Sequence, residues 1–141
     1  MTRVDFYISA STENDARYLI ACKLAEKAYK LGHKIYIHTE SSAQDQLIDN
    51  LLWTFREGSF VPHQRLADSL QKPAPVLIGH DKGLSHEADI LINLAQEIPD
   101  FFSQFERVAE LVNEDPVYKA QARERYKFYR DRGYELKTHN L

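Results

Sequence analysis

Apolar and polar positions divide the chain into short strand-like and longer helix-like runs. Val4-Asp5-Phe6-Tyr7-Ile8-Ser9 reads as a strand. Ser11-Thr12-Glu13-Asn14-Asp15 then offers turn residues and helix-capping side chains. The apolar positions Tyr18, Leu19, Cys22, Leu24, Ala25, Ala28 and Tyr29 recur near helical spacing, predicting a helix from Asn14 to Leu31, and Gly32 stands where a left-handed cap would end it. Lys34-Ile35-Tyr36-Ile37-His38 is a second strand, and the three runs together make a βαβ unit with parallel strands and a right-handed crossover. Ala43 to Phe55 is helical, with Leu47, Ile48, Leu51 and Leu52 on one side, and Pro75–Gly79 and Asp89–Leu94 are strands. Pro99-Asp100-Phe101-Phe102 begins a short helical turn. Arg107 to Val112 is read as a fifth strand, although Phe105, Val108, Leu111 and Val112 fit a helix nearly as well. A last helix runs from Asp115 to Arg132 and stops at Gly133.

Strands alternating with amphipathic helices predict an α/β fold: a three-layer α/β/α single domain over residues 1–141, with a mostly parallel sheet of about five strands. There is no repeat, low-complexity tract or linker. The least regular segment, Glu57 to Pro75, contains Ser59-Phe60-Val61-Pro62-His63.

Composition narrows the function. A net charge of −3 and a pI near 6.1 disfavour direct, sequence-independent nucleic-acid binding. The lone Cys22 sits in a helical apolar pattern and permits no disulfide framework, which suits a reducing cytoplasm. The first residues run straight into a strand, with no apolar h-region of a signal peptide, and no apolar run approaches membrane-spanning length. A soluble cytoplasmic protein is expected.

Catalytic chemistry has no motif to stand on. The loop Ser9 to Asp15 contains no glycine and two acids, unlike a loop that cradles a pyrophosphate, and there is no Walker lysine loop or GxGxxG. His80, His86 and Glu87 form the closest histidine cluster but lack zinc-binding spacing, and no Gly-x-Ser-x-Gly elbow is present. No catalytic residue, metal or cofactor is predicted; a small nucleotide-binding enzyme is the weakest alternative.

Charge is unevenly spread. From Asp115 to Lys137 there are seven Lys/Arg against four Asp/Glu, a net +3, so the remainder of the chain carries −6. On a helix, Lys119, Arg123, Tyr126, Lys127 and Arg130 fall at i, i+4, i+7, i+8 and i+11, one stripe of cations around an aromatic ring. Such a stripe suits an acidic peptide or a phosphate backbone; the plainer alternative is a solvated face. Trp53, at the end of an amphipathic helix, and Phe60, in the irregular segment, are either core closures or apolar surface anchors.

Read in order, Asp5-Phe6-Tyr7, Leu52-Trp53, Phe60-Val61-Pro62-His63, Pro75-Val76, Asp89 to Leu94 and Ala122 to Arg130 resemble the chi subunit of bacterial DNA polymerase III holoenzyme over nearly the whole chain. The resemblance implies a non-catalytic adaptor of the clamp-loader assembly. Its partners would be the psi subunit and the acidic C-terminal tail of single-stranded DNA-binding protein. It implies that Lys119, Arg123, Tyr126 and Lys127 receive the tail, with Val112 as apolar wall, and that Trp53 and Phe60 belong to the psi surface. An adaptor of the same fold serving a repair helicase through Trp53 and Phe60 is the alternative. The sequence departs from the family pattern between Gln64 and Gln71 and after Gly133, so no contacts are carried over there.

Overall fold

A computed structural model describes residues 2–13, 15–66, 74–80 and 88–141. The strands are β1 Arg3–Ile8, β2 Ile35–His38, β3 His63–Arg65, β4 Val76–Gly79, β5 Ile90–Asn93, β6 Arg107–Val112 and β7 Glu135–Asn140. The helices are α1 Asp15–Lys30, α2 Ser42–Thr54 and α3 Pro116–Asp131, and Phe102–Gln104 forms a short 3₁₀ turn. All seven strands lie in one parallel sheet, in the order β3-β4-β2-β5-β6-β1-β7. The expected count of about five strands was therefore short by the two edge strands. β3 has three residues, and β7, Glu-Leu-Lys-Thr-His-Asn, is largely polar, so neither carries a strand's apolar run.

Side-chain alternation along the strands gives the sheet two apolar faces. On one, Ile35, Ile37, Val76, Ile78, Ile92, Ala109 and Leu111 meet Ala21, Cys22 and Ala25 of α1 and Ile48 and Leu52 of α2. On the other, Val4, Phe6, Tyr36, Leu77, Leu91, Val108 and Val112 meet Ala122 and Tyr129 of α3 and Phe102 of the 3₁₀ turn. The three-layer expectation holds, and burial raises the Cys22 thiol pKa to about 12, leaving it unreactive at neutral pH.

Local chemistry sets the bounds of α3. Asp115 caps it, accepting from the Val117 N–H at 2.9 Å, and Pro116 opens its first turn. Gly133, at φ 79°, takes the left-handed conformation that closes it. A buried polar network fixes its height above the sheet. Glu110 on β6, fully buried, accepts from Arg125 Nε at 3.0 Å, from the Tyr129 hydroxyl at 2.7 Å and from Asn93 Nδ2 at 3.1 Å. Burial, together with this carboxylate, pushes the Tyr129 phenol upward, so it stays a neutral donor.

Candidate protein-interaction surfaces

The parallel register puts Phe6 beside Thr138 and Ile8 beside Val112, side chains that share the α3 face of the sheet. The helix above them turns Ala122 inward, and this small residue leaves room between helix and sheet. The result is a cleft of about 240 Å³ with Phe6, Ile8, Val112 and Thr138 as floor, Ala122 and Tyr126 as wall, and Lys119 and Arg123 at the rim. The Tyr126 ring leans on Phe6, centroids 5.3 Å apart at 59°.

Four of the five residues expected for the tail site, Val112, Lys119, Arg123 and Tyr126, thus meet at one cleft. Lys127 does not line it. It sits further round the helix, exposed, with its ammonium 3.9 Å from Glu124. Arg130 likewise turns to Asp131 at 3.3 Å. The two rim cations differ as well. Lys119 is paired with Glu114 at 2.8 Å, whereas Arg123 is exposed with no ion-pair partner among the described residues. Phe6, Ile8 and Thr138 are lining residues that the sequence reading does not include: β1 beside β6 brings in Phe6 and Ile8, and Thr138 comes from β7, which the sequence pattern hides.

The aromatic pair lies elsewhere. Trp53, near the end of α2, is 55% exposed and Phe60 is 67% exposed, which excludes the core alternative for both. Their rings are 6.0 Å apart, and His63 backs Trp53 at 4.5 Å. The His63 ring lies between two carbonyls, Nδ1 2.7 Å from that of Val61 in its own loop and Nε2 3.1 Å from that of Asp49 on α2, which places the loop against α2. Buried Val61 anchors that loop from beneath, and Glu26 of α1 holds it from the side through Ser59 and Arg56. The pair is therefore presented by a fastened loop.

His86 and Glu87 lie outside the described residues. His80 is 2.5 Å from Asp45, which also accepts from Thr39, and no group of metal-ligating side chains gathers among the described residues. No helix among them is long and apolar enough to cross a membrane.

The family of the DNA polymerase III chi subunit, HolC, matches residues 1–137. The DNA polymerase III subunit chi of Pseudomonas aeruginosa is 43% identical over 141 residues, covering 100% of this chain and 98% of that protein. The subunit of the same name from Haemophilus influenzae is 42% identical over 123 residues, 86% of this chain and 85% of the relative. That of Escherichia coli is 35% identical over 120 residues, 84% and 82%. With its parallel sheet and ordered motifs matched over nearly its full length, the chain belongs to the DNA polymerase III chi subunit family.

Proposed function

We propose that this chain is a non-catalytic adaptor that links the psi subunit of DNA polymerase III to the acidic C-terminal tail of single-stranded DNA-binding protein during replication. The observation that carries the tail half of the reading is the α3 cleft, an apolar slot with an unpaired guanidinium at its mouth. Such tails end in acidic residues, an apolar residue, a proline and a phenylalanine with its free carboxylate. The slot takes the ring, with Tyr126 and Phe6 offering aromatic faces. Arg123 takes the carboxylate, because a guanidinium pairs with it through two donors and lysine cannot. Lys119 and Lys127 attract the acidic run at longer range. Trp53 and Phe60 form the apolar anchor for psi, since exposed aromatics are the side chains that dominate protein interfaces.

Titrating an acidic, Phe-terminated peptide into the protein tests the tail site. Arg123→Ala is expected to weaken binding by roughly 10- to 100-fold while the fold persists, the loss of a charge-assisted contact worth about 1.5–3 kcal/mol. Amidating the peptide's terminal carboxylate should reproduce the loss in wild type and add little in the mutant. Unchanged affinity in Arg123→Ala would remove Arg123 from the site.

A further inference from the structure

A third region, used by neither surface, lies beyond the carboxyl ends of β2 and β5. These strands are neighbours, and their connections leave in opposite directions: β2 continues through α2 to β3, and β5 continues to β6. Loops that diverge from adjacent parallel strands leave the crevice in which open α/β sheets hold ligands. Here the crevice has a volume of about 390 Å³. Glu40 and Gln44 border it after β2, Gln96 after β5, Arg17 on the α1 side, and Tyr118 and Gln121 on the α3 side.

Arg17 is a buried cation that the proposed adaptor role does not use. Only 5% of it is exposed. Its Nη2 donates to the Leu94 carbonyl at 2.8 Å, and its guanidinium lies over the Tyr118 ring at 4.7 Å. Neither partner is an anion. Its Nε has no hydrogen-bond partner, and it forms no ion pair among the described residues. Arg125 lines the same crevice, equally buried, yet its charge is met by Glu110 at 3.0 Å. One of two neighbouring buried guanidiniums therefore has its counterion and the other does not. Burying a cation without one is costly, which points to a group that arrives from outside. Burial lowers the Arg17 pKa, with Arg125 adding to the effect and Tyr18, Tyr118 and the Glu110 carboxylate opposing it.

We propose that this crevice binds a small anion, a carboxylate or phosphate group, as the counterion of Arg17. Of the carboxylates nearby, Glu40 accepts from the Gln96 backbone N–H, Asp115 caps α3 and Glu110 pairs with Arg125, and none forms an ion pair with Arg17 among the described residues. The size fits a small molecule, near the lower end of the usual range of about 300–1,000 Å³. The loop after β1 lacks the glycines that admit a pyrophosphate, so a single anionic group is expected rather than a dinucleotide.

The test is a titration followed by the Arg17 Nε–H and Tyr118 signals in NMR spectra, with inorganic phosphate in one arm and acetate in the other. A saturable shift of both signals is expected, and the arm that saturates at the lower concentration identifies the anionic group. Gln121→Glu places a negative charge on the wall without touching Arg17, and should weaken binding about tenfold, the effect of a like charge in a partly buried site. Arg123→Ala, in the other cleft, should leave the titration unchanged, which separates this site from the proposed tail site. No saturable shift in either arm, or equal affinity in Gln121→Glu, would overturn the proposal.

Discussion

At the β7 edge of the sheet, the cleft beside α3 combines curvature with charge: a concave apolar floor and an unpaired Arg123 at the rim. At the β3 edge, on the opposite face, Trp53 and Phe60 stand out from a pinned loop as two adjacent rings, with Val61 and His63 beneath and behind them. The first arrangement selects by shape and sign, the second by apolar area. Salt should therefore weaken binding at the cleft and matter little at the aromatic pair. Because the sheet separates them, two partners meeting these surfaces need not compete. An adaptor gains from that difference, since each partner is chosen by a force that the other surface does not use.

The largest effect is expected from releasing α3. Glu110 is fully buried and answers Arg125, Tyr129 and Asn93. Glu110→Ala leaves Arg125 buried without its counterion, and is expected to cost about 3–5 kcal/mol of folding stability. Urea denaturation reads the loss, and the cleft, which depends on the height of α3, should suffer before the aromatic pair does. A cost below about 1 kcal/mol would mean that apolar packing alone seats the helix.

A smaller effect is expected at the other edge. Trp53→Ala or Phe60→Ala should cost on the order of 2–4 kcal/mol of psi binding. As the rings are more than half exposed, stability should fall by no more than about 1 kcal/mol, and acidic-peptide binding should persist. Melting temperature and both titrations on the same variants check this. A stability loss of about 3–5 kcal/mol would mean the rings carry core packing instead.

The smallest effect concerns pH. Burial alone would raise the Asp5 pKa, but a hydrogen bond from His139, with Arg3 and Arg107, outweighs it and holds the carboxyl below its ordinary value. A lowered folded-state pKa contributes stability that is fully present above the unfolded value of about 3.9 and is lost as pH falls through the folded value. Since His139 lies on β7 and Asp5 on β1, acid should loosen the cleft edge and leave the β3 edge unaffected. Hydrogen exchange along β7 across that range, with Asp5→Asn losing the dependence, is the check.

The sequence made the central elements legible and the edges obscure. β2, β4 and β5 read as apolar runs because both faces of an interior parallel strand are covered. β7 is half-buried only at Leu136 and His139 and exposed elsewhere, as an edge strand facing water is, and so carries no apolar run that reads as a strand. Without β7, Thr138, one of the four floor residues of the cleft, stays hidden. Helical spacing groups Lys119, Arg123 and Tyr126, which line one cleft, but does not reveal that Lys127 turns away to Glu124. Nor could it decide between core and surface for Trp53. That depends on α2 burying Ile48 and Leu52, which leaves the adjacent position on the outward side. The buried Glu110 network and unpaired Arg17 join residues distant in the chain, beyond the reach of any local pattern.

If the two surfaces act independently, a labelled acidic, Phe-terminated peptide should bind the protein alone and the protein saturated with psi with the same dissociation constant, within about twofold or roughly 0.4 kcal/mol, and a ternary complex should form in sedimentation. Displacement of the peptide by psi would contradict independence, because one surface would then be serving both partners.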